Sequence, residues 1–333
     1  MDVIRVLCDV GIQNSDDIIL SHIKNNIIPF SKKNQVYNFK ILGNIQALEN
    51  SNHNEEIPYE DTKFSDIKAN PFMLKESYNL ASIDHQFNIT KHNSGALAPQ
   101  LLKSQTYAIC GSKNIAFVEY LQYRNELTYI YNLGTPYSDK IINISLINEE
   151  RLYNLNTQNS HLENIYKDYE YYTNKIRKVD QDGIDVFISE NYYSGGELVY
   201  QIMLMLKILK NNGDAIIKIS LSNNKFINDI VKILSICFNE VYLFKTFLTN
   251  INNDYYYIVC KQFNFFDSLE ISKLLKIILS KINYNSTPIE LFSNKDEDVT
   301  KYIDQIKKLI DIERNFNSSL YVPQKAKIYL NIN

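Results

Sequence analysis

Between residues 184 and 261 short apolar runs alternate with longer amphipathic ones, and this alternation leaves few architectures open. IDVFIS (184–189) predicts a strand and ENYYSGG (190–196) a loop. ELVYQIMLMLKILK (197–210) places Leu198, Ile202, Met205, Leu206 and Leu209 at helical spacing. NNGD (211–214) predicts a turn, with Gly213 suited to the helix exit. AIIKISL (215–221) is a further strand, KFINDIVKILSICF (225–238) a helix, and EVYLFKT (240–246) and YYYIVCK (255–261) two more strands. Strands that alternate with helices predict a largely parallel sheet covered on both faces. The last two strands predict an antiparallel hairpin at the sheet edge.

Weaker signals flank this block. PFMLKESYNLASID (71–84) and FVEYLQYR (117–124) predict helices, and TYAIC (106–110) and TYIYNLG (128–134) strands. KIINISL (140–146) is a third strand candidate, and residues 151–178 predict helix with loop. The first 70 residues are heterogeneous: 16–28 suits a helix, 36–42 alternates like a strand, and the polar stretch 49–63 suits a linker. SLEISKLLKIILSKI (268–282) and DVTKYIDQIKKLIDIERNF (298–316) carry apolar stripes opposite lysines. The expected organisation is an amino-terminal extension over 1–70, a core domain over 71–265 and a carboxyl-terminal helical extension over 266–333.

Composition excludes several classes. No apolar run reaches the roughly 18 residues of a membrane span, so no membrane association is expected. The amino terminus lacks the pattern of a signal peptide. Cys8, Cys110, Cys237 and Cys260 have no paired spacing, which argues against a zinc cluster and predicts reduced buried thiols in a cytoplasmic protein. A formal charge of −3 excludes bulk attraction to polyanions, although a local basic patch remains compatible with it. The chain has 25 Tyr and no Trp, and it is rich in Asn, Ile and Lys. AT-rich coding produces such a bias, and some viruses, cytoplasmic genetic elements and parasites have such genomes. A viral source would place the protein in the virion or viral factory.

The ordered set DVFISE, GGELVYQIMLMLKILKNNGDAIIKIS, FNEVYLFKT and YYYIVCK resembles the FtsJ-type ribose 2′-O-methyltransferases, a family that includes the viral cap-ribose enzymes. About 80 residues carry the resemblance well. It implies a Rossmann-like methyltransferase sheet, mostly parallel with an antiparallel edge hairpin, and helices on both faces. It also implies S-adenosylmethionine as cofactor and RNA, such as capped mRNA, as substrate. AICGSKNIAFVEYLQYR (108–124) stands where the family has its cofactor loop, and the resemblance assigns Gly111, Ser112 and Phe117 to cofactor binding. Asn114, Ile115 and Ala116 stand where the family has Pro-Gly-Gly, and bulk at Ile115 is expected to crowd the cofactor or reroute the loop. No acidic residue follows TYIYN to hold the cofactor ribose.

The family's catalytic tetrad is Lys-Asp-Lys-Glu, which makes a 2′-hydroxyl nucleophilic and holds it in line with the methyl group. By resemblance the first Lys falls at Asn79, with Lys75 one helical turn earlier on the same face. The Asp falls at Glu190, the central Lys is Lys218, and the last Glu falls at Tyr255, beside Asp254. Lys218, Glu190 and Lys75 are therefore the catalytic candidates. A lysine inside an apolar strand is costly unless it lines a cleft or meets a partner; the plainer reading is a packed stem with its head in water. Tyr255 to Tyr257 suit core packing better than base stacking.

Loss of the glycine loop and half the tetrad separates family membership from chemical competence. Three functions stay open: a divergent RNA ribose 2′-O-methyltransferase; a non-catalytic methyltransferase-fold subunit that binds and activates an mRNA capping enzyme; and an assembly protein that inherited the domain.

Overall fold

The computed structural model describes residues 3–7, 40–42, 76–90, 104–111, 115–133, 147–155, 169–190, 196–220, 224–244 and 255–280. Its strands are β1 (Val3–Leu7), β2 (Lys40–Leu42), β3 (Thr106–Cys110), β4 (Tyr129–Asn132), β5 (Leu152–Asn154), β6 (Ile184–Ser189), β7 (Leu209–Ser220), β8 (Phe238–Phe244) and β9 (Tyr255–Phe263). Its α-helices are α1 (Ser77–Phe87), α2 (Ile115–Arg124), α3 (Tyr169–Val179), α4 (Gly196–Ile208), α5 (Asn224–Cys237) and α6 (Phe265–Leu279). The nine strands form one sheet in the order β2-β1-β8-β9-β7-β6-β3-β4-β5.

From β5 to β7 every neighbouring pair is parallel, and β9 runs antiparallel between β7 and β8. The seven strands from β5 to β8, mostly parallel with β9 alone reversed, form the Rossmann-like methyltransferase architecture. β1 pairs antiparallel with β8 and with β2, so the amino-terminal strands continue the sheet beyond the β8–β9 hairpin. The segments 16–28, 49–63, 140–146 and 298–316 lie outside the described residues. Within 151–178, where helix and loop were expected, Leu152–Asn154 pairs with β4 as a short strand before α3 begins. Three residues are too few to show a period.

Burial follows the two-residue period of each strand. Ile216, Val186, Ile188, Tyr107, Ile109 and Tyr257 face the layer formed by α1 and α2. Ala215, Ile217, Ile219, Phe187 and Ile258 face the layer formed by α3, α4, α5 and α6. Each such aliphatic side chain stabilises the fold by roughly 1.5–3 kcal/mol relative to exposure. α4 is apolar on nearly all sides because it is enclosed: Leu198, Val199, Ile202, Met203, Met205 and Leu206 are all buried. Cys110, Cys237 and Cys260 are reduced and buried, as their spacing predicted.

NNGD differs from the expected helix exit. α4 stops at Ile208, and Leu209 joins the sheet opposite Ile184. The register then jumps to Val186 opposite Asp214, so residues 210–213 bulge out of β7. The residue with positive φ is Asn212, at 62°. Gly213 serves close packing, since a Cβ there would lie 2.9 Å from the Lys210 carbonyl oxygen and 3.0 Å from that of Asp185.

Candidate functional site

Strand order reverses between β3 and β6: from β3 the chain moves to β4 on one side, and later strands fill the other. In open α/β sheets ligands bind beyond the carboxyl ends of the strands at such a point. Three strand ends are in register here. Cys110 stands opposite Ser189, and Ser189 opposite Ile217. The Glu190 N–H donates to the Cys110 carbonyl at 2.9 Å, carrying the β3–β6 ladder one residue past the strand. Gly111, Glu190 and Lys218 therefore lie together at the carboxyl ends of neighbouring strands, at the switch point where such a sheet forms its ligand crevice.

Lys218 lies on the α1–α2 face of β7, two residues beyond Ile216. Its Nζ donates to Glu190 Oε1 at 2.9 Å. The Glu190 side chain is 3% exposed and that of Lys218 15%, so the pair is largely buried and its lysine is the more accessible partner. The cost of a charge in an apolar strand is met by this partner. Ser189 faces the other layer and donates to Gln201 Oε1 on α4 at 2.8 Å, fixing the end of β6 just before Glu190.

Tyr257 and Glu76 were not among the sequence candidates. Tyr257 stands directly opposite Lys218 in the β7–β9 ladder. Its ring is buried in the α1–α2 layer, and its hydroxyl has no hydrogen-bond partner among the described residues. Burial pushes the phenol well above the usual tyrosine range, and the carboxylates of Glu190 and then Glu76 add to the effect. Glu76 immediately precedes α1, one turn before Asn79, which is itself buried. Its position as the acidic first residue of ESYNL was the available signal. Lys75, Ser112 and Asp254 lie outside the described residues, and Tyr255 is described only through its backbone, opposite Ser220. Tyr256 and Tyr257 are buried on opposite faces, in agreement with core packing.

On the cofactor side, Gly111 has φ 150°, a conformation that favours glycine and leaves its Cα bare at the switch point. Ile115 begins α2 and packs in the α1–α2 layer with Phe117, whose ring is fully buried. Phe117 thus supports the helix behind the loop from within the core. Asn132 ends β4 where a ribose-binding acid is absent, and its Nδ2 donates to Asn154 Oδ1 at 2.7 Å. A bare glycine and a fixed amide suit a nucleoside with an amino-acid tail, without the anionic clamp for the ribose. Among the described residues no group of His, Cys, Asp and Glu is arranged to hold a metal ion.

No family model matches the chain, and no curated protein does. Solved structures similar to it include the fibrillarin pre-rRNA processing protein of Methanococcus jannaschii, at 11% identity over 48% of this chain and 67% of that one, with a TM-score of 0.34. Human methyltransferase-like protein 13 in complex with SAH matches at 10% identity over 63% of this chain and 92% of that one, TM-score 0.34. An rRNA methylase from Streptococcus thermophilus matches at 10% identity over 55% of this chain and 95% of that one, also with a TM-score of 0.34. The fold assignment itself rests on strand order and direction.

Proposed function

We propose that this protein is an RNA ribose 2′-O-methyltransferase of divergent FtsJ type, acting on capped mRNA with S-adenosylmethionine as donor. The observation that carries the reading is the Lys218–Glu190 pair, 2.9 Å apart at the carboxyl ends of β6 and β7, beside Gly111. Bound there, S-adenosylmethionine supplies a methyl group on a sulfonium centre. Gly111 and Asn132 would hold it through backbone approach and amide hydrogen bonding.

The chain's own residues then have two tasks. Lys218 contacts the 2′-hydroxyl oxygen and holds it for in-line attack. Glu190 accepts a proton from Lys218 Nζ as Lys218 receives the hydroxyl proton, so the oxygen gains the methyl group and loses its hydrogen without a free alkoxide. Tyr257 stays neutral, closes the floor beneath Lys218 and excludes water from the stem.

Isothermal titration of the purified chain with S-adenosylmethionine, followed by methyl transfer to a capped oligonucleotide, tests the reading. Expected are saturable heat and transfer that Lys218→Ala abolishes. Absence of heat at millimolar ligand removes the enzyme reading. The second reading, a non-catalytic subunit that activates a capping enzyme, is favoured by the missing ribose acid at Asn132. It expects no heat and co-purification with a guanylyltransferase or N7-methyltransferase subunit.

A further inference from the structure

At the opposite end of the sheet a second feature stands apart from the crevice. The amino end of β7, the carboxyl end of α4 and the start of α6 line an open groove of about 690 Å³. Its wall includes Phe265, Phe266 and Leu269 of α6, together with Arg177, Lys207 and Lys210. Leu209 stands opposite Ile184 and Ile217 opposite Ser189, so with the bulge the two ends of β7 are five β6 residues apart, roughly 17 Å at the strand rise. A ligand in one place therefore does not touch the other.

Three exposed apolar side chains crowd the first turns of α6. Phe266 is 76% exposed, Phe265 38% and Leu269 40%. Their backbone is well anchored. Asn264 caps the helix, its Oδ1 accepting from the N–H groups of Phe266 and Asp267, and Asn211 Oδ1 accepts from the Phe265 N–H at 3.2 Å. The rings are thus held outward on a rigid start of helix. Scattered exposed apolar residues are ordinary; a cluster beside a groove marks a binding surface.

The charges around it choose the occupant. Three cations line the groove against one carboxylate, Asp182. Arg177 directs its guanidinium into the carbonyls of Lys207, Leu209 and Gln181, and Lys210 pairs with Asp185. Lys207 forms no ion pair among the described residues. An aromatic–aliphatic rim with a basic margin fits an amphipathic helix whose apolar stripe is flanked by carboxylates. We propose that this groove docks an acidic amphipathic helical segment of a partner protein, with Phe266 and Leu269 as anchors and Lys207 as the charge that sets orientation.

The test uses the full chain and two fluorescein-labelled helical peptides with the same leucine stripe, one flanked by glutamates and one by lysines. Fluorescence anisotropy is expected to show saturable binding of the glutamate peptide alone. The double variant Phe266→Ser, Leu269→Ser is expected to weaken it roughly tenfold or more, as loss of anchor side chains does. Lys207→Glu is expected to weaken the glutamate peptide and admit the lysine peptide. Both substitutions are at surface positions, and an unchanged thermal melt establishes that the fold is intact. Equal binding of both peptides, or binding indifferent to the variants, overturns the proposal. So does a single-stranded oligouridylate that binds the wild type and is lost in the double variant, which would make the groove an RNA site. A homodimer in sedimentation that the double variant dissolves would likewise overturn it in favour of a second copy.

Discussion

Lys218 and Tyr257 are direct cross-strand neighbours, one ion-paired near the carboxyl end of β7 and the other burying a hydroxyl that no described residue satisfies. Their closeness separates two kinds of polar burial in one site, and each has a measurable consequence.

The ion pair is expected to behave as a coupled unit. Glu190→Gln and Lys218→Met, each alone, leave a partly buried charge without its partner and are expected to destabilise by about 1–3 kcal/mol. The double variant is expected to cost less than the two together. Urea denaturation of the four proteins measures the coupling, and strict additivity would show that the pair contributes nothing.

Tyr257→Phe is expected to leave stability unchanged or raise it by about 1 kcal/mol, because the hydroxyl removed has no partner among the described residues. Calorimetric unfolding checks this. A clear loss would reveal that the hydroxyl is satisfied in solution.

Alkaline pH is expected to weaken the fold through several groups acting in the same direction. Burial pushes the Tyr78 phenol up to about 12, and also raises Tyr107 and the thiols of Cys110, Cys237 and Cys260. These groups deprotonate first in the unfolded chain. Their contribution is therefore complete below the unfolded thiol pKa of about 8.5, and it declines as pH rises through the phenol range. Urea midpoints from pH 7 upward should fall progressively above that point. In the native state below it the three thiols should resist alkylation.

Arg177 closes the carboxyl end of α4. Its Nε and Nη2 donate to the Lys207 carbonyl at 3.1 and 2.9 Å, and Nη2 also to that of Leu209. Arg177→Ala is expected to cost about 2 kcal/mol, and Arg177→Lys to recover only part, since an ammonium cannot reproduce the planar fork. Gly183, with φ 93°, lies under the same junction, and a Cβ there would fall 2.4 Å from the Ile208 carbonyl oxygen. Gly183→Ala is expected to cost more than Arg177→Lys; chemical denaturation ranks the three.

The central strands and helices were legible because their periods are strong. IDVFIS, AIIKIS and YYYIVCK are predominantly apolar runs of strand length, and α4 and α5 repeat at helical spacing. Lys218 stood out because a charge inside such a run needs a partner, and Glu190 because it follows directly on one. Other features had no local signal. β5 is three residues long, and the bulge at 210–213 follows from where α4 ends in space. Tyr257 looked like its neighbours in an aromatic run, and only the β7–β9 register puts it against Lys218. Glu190 and Glu76 both act electrostatically on it from segments far apart in the chain, and no spacing rule connects them.

The pairing of Ile4 with Leu243 has a consequence for biogenesis. β1 is synthesised some 239 residues ahead of its partner in β8, from Ile4 to Leu243, and has to wait for that strand to appear. Contacts of such long sequence separation form late. Until then the outer rim of β8 offers unpaired backbone groups, the kind of template that recruits stray strands from other molecules. Slow synthesis or crowding of nascent chains would therefore favour association through β8 over correct closure, and the amino-terminal strand acts as the built-in cover that ends this window.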